Sequence, residues 1–244
     1  MEFHRRLKSN WLSRKPTAYA ETLTTVVSIV IAVVTWMYWN DIAHAQKLLA
    51  ASGEQVFVKH EYWRLWTSLL VHGDLGHLVS NAILFIPLSF FLTGYFGPIF
   101  FPVFGFLIGG LTNFIALKTM PLQTELIGVS GVVYWMGAAW LTLYLCLERR
   151  ESVRRRLGKV LFIAAALFLP QTFEPNVSYV SHLYGFIIGL PSALIYYWFH
   201  HRLFAAQEVY EEIFETDEIA FSAPHGFDAV AGRDAEPRFN ESEI

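Results

Sequence analysis

The sequence predicts an all-α polytopic membrane protein, a bundle of six transmembrane helices, and three observations predict it. The first is composition: 54% of the 244 residues are hydrophobic, 16% are aromatic and only 16% are charged, against roughly 25% charged in an ordinary soluble domain. The second is length, since apolar stretches near or above the roughly 17 to 25 residues needed to cross a bilayer recur along the chain. The third is charge placement, with Lys and Arg gathered at alternate connections, as they are where those connections stay cytoplasmic. A typical cytosolic enzyme is excluded.

In chain order, residues 1–20 form a basic cytoplasmic segment with Arg5, Arg6, Lys8, Arg14 and Lys15. The first span, about 22–40, lies far from the start and lacks a small-residue cleavage site, so it reads as a retained span. A long first loop carries Lys47, Lys59 and Arg64, and its cluster of Trp63, Leu65, Trp66, Leu69 and Leu70 predicts a segment that dips into the outer leaflet. Spans at about 76–96, 98–117 and 128–147 follow. Arg149, Arg150, Arg154, Arg155, Arg156 and Lys159 then fill the connection to a fifth span at about 158–173. The sixth, about 179–199, completes a transmembrane domain over residues 21–200. With Lys118 alone in the third connection and no cation in the fifth, both termini are predicted to be cytoplasmic. Trp36, Trp39, Trp140 and Trp198 near span edges fit an aromatic belt.

Residues 201–244 are an acidic cytoplasmic tail, with Glu208, Glu211, Glu212, Glu215, Asp217 and Glu218. Leu203, Ala206, Tyr210, Ile213 and Phe214 fall near one helical face, which predicts that the sixth helix continues along the membrane surface. From about Ser222 the tail holds too little apolar content to bury and is expected to be partly disordered.

Cys146 is the single cysteine, so no intrachain disulfide forms, and a thiol nucleophile there has no evident base beside it. No phosphate-binding glycine loop, nucleic-acid signature or internal repeat is present. No metal or organic cofactor is implied.

Three polar clusters stand inside the apolar spans: His72-Gly-Asp-Leu-Gly-His77-Leu-Val-Ser-Asn81, Gly128-Val-Ser130-Gly131 and His182-Leu-Tyr-Gly185-Phe-Ile-Ile-Gly189. Such groups in hydrocarbon cost free energy unless partners or a wet cavity compensate them, so they ask for a functional reason. His77 and Asn81, at i and i+4, project on one helical face as two donors aimed at one point, whereas His72 at i−5 points away from them. That spacing, with no intervening glutamate, does not fit a zinc pair on a helix. Ser130 opens the fourth span between glycines that permit an unusual turn and close approach of a substrate backbone. Its hydroxyl needs a base within hydrogen-bond reach, and His182 is the best candidate. His182, Gly185 and Gly189 share one narrow stripe, along which two membrane helices can pack closely. Tyr134, one turn after Ser130, is expected to stack on the imidazole. Asn81, Ser130 and His182 each fall near the start of a span running from outside to inside, so they meet near the outer face.

These residues resemble the rhomboid family of intramembrane serine proteases. His72-x4-His77-x3-Asn81, Gly128-x-Ser130-Gly131 and His182-x2-Gly185-x3-Gly189 match its motifs on the second, fourth and sixth helices, and Glu61-x-Trp63-Arg64 resembles its first-loop signature. The likeness covers roughly residues 21–200 and its specificity lies in the ordered set. It implies a six-helix rhomboid-like bundle and a serine endopeptidase that cuts near the outer ends of substrate transmembrane helices. By the same likeness Ser130 is the nucleophile and His182 the base, with His77, Asn81 and the Ser130 backbone N–H as oxyanion donors. His72 then ties down the first loop, and the fifth helix, with Pro170, is the side through which a substrate enters.

The expected partners are transmembrane protein substrates and membrane lipids, with no nucleic acid. A bacterial inner membrane is the expected location, with the active site toward the outer face. Taken singly, Ser130 reads as a packing or capping residue and His182 as a partner to a neighbouring helix. Asn113, outside any motif, reads as interhelical glue. The rival from another class is a rhomboid-like protein that binds transmembrane clients for trafficking or quality control and cuts nothing; it is expected to lack the serine or the histidine. A polytopic transporter would show its charged sites nearer the bilayer midplane.

Overall fold

A computed structural model describes residues 3–168 and 178–214. Its main helices are α1 (Tyr19–Trp39), α2 (Leu75–Phe96), α3 (Gly105–Thr119), α4 (Ser130–Leu147), α5 (Val153–Phe168) and α6 (Tyr179–Ala205). A π-helical turn, Ile99–Phe104, leads into α3. Among the described residues five helices are long and apolar enough to cross a membrane: α1, α2, Ile99–Thr119, α4 and α6. The described part of the expected fifth span is α5, whose 16 residues fall just short of the roughly 17 to 25 that cross a bilayer. The rest of that span, Pro170 included, lies outside the described residues, as does the tail beyond Phe214 expected to be disordered.

Apolar side chains face outward here, as they must in lipid. α1 exposes Val26, Ile29, Val30 and Val33, and α2 exposes Val79, Ile83 and Ile86. Turned inward on the same helices are the hydroxyls of Thr24 and Ser89, which meet at 3.0 Å. α4 is the most enclosed of the five candidate spans, and Trp135, Met136 and Leu143 on it are fully buried with Leu92, Phe101 and Leu69 around them. α6 runs parallel to α4, with Gly185 beside Gly131 and Gly189 beside Trp135 and Ala138.

The first loop is a structured cap. Arg64, almost wholly buried, donates from Nε to Glu61 at 2.6 Å and from its two terminal nitrogens to the carbonyls of Ala50 and Lys47, each at 2.8 Å. The resemblance at Glu61-x-Trp63-Arg64 thus falls on a staple that closes the loop on itself. Asn113 of α3 donates to the carbonyl of Leu65 and the hydroxyl of Ser68, so it ties α3 to the first loop rather than to another span. A short β2 (Ala51–Ser52) pairs with β3 (Glu125–Leu126), which ties this cap to the segment entering α4.

The surface helix expected after the sixth span is corrected. α6 stops at Ala205, after Leu203, and Ala206 caps it. Tyr210, Ile213 and Phe214 then lie in β4 (Val209–Phe214), antiparallel to β1 (Phe3–Ser9). β-Branched and aromatic residues favour a strand there, and the basic β1 complements the acidic β4: Arg5 pairs with Glu212 and Lys8 with Glu211. The helical spacing of the apolar residues was outweighed by a partner strand about two hundred residues away in sequence.

Candidate active site at the start of α4

The site is built where α2, α4 and α6 begin. α2 starts at Leu75 because the Asp74 side chain accepts from the His77 backbone N–H at 2.8 Å, capping it. His72 therefore precedes the helix, and a helical wheel does not govern where it points. This corrects the expectation that it faces away: its ring lies edge-on to His77, 4.9 Å between centroids. It is fully buried. Its Nδ1 meets Thr35 Oγ1 of α1 at 3.1 Å, and Trp39 Nε1 donates to its carbonyl at 2.7 Å.

Gly128 has φ +107° and its backbone N–H donates to the Ser68 carbonyl at 2.9 Å. A side chain there would be strained by conformation, and its Cβ would lie only 2.8 Å from Cε1 and Nε2 of His77. The imidazole of His77 thus rests directly on the approach to Ser130. Ser130 is half-buried and is the first residue of α4. Backbone N–H groups in a first helical turn have no intrahelical acceptor, and the α4 dipole adds partial positive charge there.

Asn81 is buried, and its Nδ2 donates to the His77 carbonyl of its own helix at 2.9 Å. It is therefore directed back along α2 rather than, with His77, at one outer point. It lines a cavity of about 30 Å³ shared with His72 and Val129, space for a water-sized molecule beside the turn before Ser130.

His182 sits in the first turn of α6, where the Ser178 side chain accepts from the Ser181 N–H. Its ring stacks on Tyr134 at 4.1 Å with planes 14° apart, which is the contact expected from the spacing. A Cβ on Gly185 would run into the Gly131 carbonyl oxygen, and one on Gly189 would lie 2.7 Å from the Trp135 carbonyl and Ala138 Cβ. The stripe of small residues is thus the face along which α6 reaches α4. His182 is buried, and its Nε2 has no hydrogen-bond partner among the described residues. A buried ring nitrogen with no partner among the described residues calls for one, and this ring lies on Tyr134, one turn after Ser130.

Thr112, fully buried on α3 and with no partner for its hydroxyl among the described residues, packs its methyl 3.2 Å from where a Gly131 side chain would begin. Nothing in its sequence context marked it, nor Thr35. Among the described residues no three His, Cys, Asp or Glu side chains gather as a metal-ligand set. The arrangement offers a hydroxyl, an open imidazole and backbone donors at a helix start, the parts that acyl transfer needs.

The family model described as Rhomboid domain matches residues 59–199. A relative from Bacillus subtilis, named "Putative rhomboid protease YdcA", is 26% identical over 176 residues, 68% of this chain and 86% of that protein. Rhomboid-like protease 3 of Toxoplasma gondii is 25% identical over 181 residues, covering 72% of this chain and 67% of its own.

Proposed function

This chain belongs to the rhomboid family, and on that premise we propose that it is an intramembrane serine endopeptidase working through a Ser130–His182 dyad. The observation that carries the proposal is the stacking of His182 on Tyr134, one turn beyond Ser130, on the face where Gly185 meets Gly131. In the mechanism, Ser130 gives its proton to His182 Nε2 and attacks a carbonyl of a partly unwound substrate helix. The oxyanion is held by the Ser130 N–H, His77 and Asn81, the last after turning from its own helix. As the C–N bond breaks, His182 gives that proton to the departing amine; water, deprotonated by His182 in turn, then hydrolyses the acyl-enzyme and the proton returns to Ser130. Each oxyanion donor is worth about 2.7–4 kcal/mol, so Asn81→Ala slows turnover and Ser130→Ala removes it.

The protein is integral to the membrane, and six crossings are the reading that best accommodates its ends. α4 and α6 run parallel, so the chain between Leu147 and Tyr179 has to return across the bundle, and α5 starts that return. The pairing of β1 with β4 supports the same count, because only an even number of crossings brings both termini to one side. The basic residues around the α4–α5 connection make that side cytoplasmic. The site then opens toward the outer face, in a bacterial inner membrane.

The test is cleavage of a transmembrane reporter by purified protein in liposomes, with Ser130→Ala and His182→Ala alongside. Cleavage lost in both variants and retained in a chelator supports the dyad. A folded wild type that binds transmembrane helices and cuts none of a broad panel overturns it in favour of client binding.

A further inference from the structure

At the other end of α4 from Ser130, about 25 Å away along an 18-residue helix, a cavity of about 770 Å³ opens between β1, the α4–α5 connection and the first turns of α5. Four cations line it, Arg6, Arg150, Arg155 and Lys159, with two acids, Glu148 and Glu151. Both acids are already committed. Arg150 donates to both oxygens of Glu148, at 2.7 and 2.6 Å, and Lys159 donates to Glu151 at 2.6 Å. The side chains of Arg6 and Arg155 have no ion pair or hydrogen bond among the described residues. They come from elements far apart in sequence, yet line one cavity; Glu211 stands opposite Arg6 across the β1–β4 pair but is engaged by Lys8, which leaves two guanidiniums there without an ion pair among the described residues.

We propose that this cavity holds the phosphate of an anionic phospholipid, with Arg6 and Arg155 as its ligands. A guanidinium pair matches phosphate oxygens in charge and geometry. The position is right for a headgroup, because the cavity lies at the point where the apolar run of α4 ends at Leu147 and Tyr144 lines it. A free anion would need nothing further, but the surface continues in a way that fits a lipid. Phe162 is two turns beyond Arg155 on the same face of α5, about 10 Å deeper along the bundle, and it is 73% exposed. Phosphate at Arg155 would thus direct an acyl chain along Phe162.

The test is binding of a fluorescent phosphatidylglycerol to the full-length protein in zwitterionic detergent, with unlabelled competitors. Arg6→Gln with Arg155→Gln should weaken binding roughly thirtyfold, as expected for two basic side chains near a lipid surface. Arg154→Gln, off the cavity, should bind as wild type does. Unlabelled phosphatidylglycerol should displace the probe, while phosphatidylcholine and inorganic phosphate should displace it far less. Equal binding by the double variant overturns the site. Equal displacement by phosphatidylcholine overturns the role of charge, and equal displacement by inorganic phosphate makes it a free-anion site. If the double variant does not fold, a photoactivatable phosphatidylglycerol on wild type decides the question: labelling within residues 144–162 supports the site, and labelling elsewhere overturns it.

Discussion

Val129, the residue before Ser130, points its backbone N–H at Nε2 of His72 across 3.5 Å. The tautomer follows from the neighbours. Thr35 gives its hydroxyl proton to the Leu70 carbonyl at 3.0 Å, so at the 3.1 Å contact His72 Nδ1 is the donor and Thr35 Oγ1 the acceptor. Nε2 is left as a bare acceptor facing Val129. One neutral imidazole thereby connects α1, the end of the first loop and the turn that delivers Ser130, a wider task than tying down the loop.

Protonating that ring would set a new N–H against the Val129 N–H in a buried place. Burial first, and then neighbouring His77, lower the His72 pKa to about 3, with Asp74 acting in the opposite direction. The folded value lies below the roughly 6.5 of an unfolded histidine. The stabilisation is therefore complete above about pH 6.5 and drains away as the pH falls toward 3. The unfolding midpoint of the wild type should drop across that window. His72→Gln should be less stable at neutral pH yet show a flatter decline; equal slopes would remove His72 as the cause.

Gly185→Ala and Gly189→Ala each put a methyl group against backbone of α4, which cannot rotate aside as a side chain would. Overpacking of this kind costs about 1–3 kcal/mol. Both variants should unfold at lower temperature, and Gly185→Ala should also lose most reporter cleavage, because it wedges apart the turn carrying His182 and the turn carrying Ser130. Gly158→Ala is the control, since nothing lies within 4 Å of its added methyl. If Gly185→Ala retained full activity, close helix approach would not be what brings the two residues together.

The starts of α2, α4 and α6 could be read from the sequence because they coincide with polar motifs at the edge of apolar runs, and a four-residue spacing on a helix already puts Tyr134 over Ser130. Features that depend on where a helix begins, or on a distant partner, could not. The wheel applied to His72 assumed a helix that Asp74 does not open until Leu75. The spacing of Tyr210 and Ile213 fits a helical face, and their strand form depends on β1 at the other end of the chain. Thr35 and Thr112 carry no signal of their own, since threonine is ordinary in a span and only its burial beside His72 or Gly131 gives it a task. Asn81 shares a face with His77 as the spacing requires, yet its amide satisfies the nearest carbonyl of its own helix.

Arg64→Ala tests whether the first loop is held by its staple. The substitution removes three hydrogen bonds and leaves the carbonyls of Ala50 and Lys47 without that donor. Losing one partner of a buried charged network costs about 3–5 kcal/mol. Arg64→Lys should recover only part of this, because one ammonium cannot span three acceptors in a planar fork. Thermal unfolding and limited proteolysis within residues 45–70 check both variants. Wild-type resistance in Arg64→Ala would mean that the β2–β3 pairing and Asn113 hold the loop unaided.

Tyr134 separates holding the proposed base from performing the chemistry. Its ring lies nearly parallel to His182, and aromatic stacking is worth about 0.5–1.5 kcal/mol beyond the area it buries. Tyr134→Phe keeps the ring and should stay within about twofold of wild-type turnover. Tyr134→Leu keeps bulk but loses the flat partner, and its kcat should fall roughly two- to twelvefold with KM little changed, since no substrate contact is removed. The imidazole would then explore orientations other than the one it holds flat against Tyr134. A matching rise in KM would place Tyr134 in substrate binding instead, and an unchanged kcat in Tyr134→Leu would leave the packing of Gly185 on Gly131 as the restraint on His182.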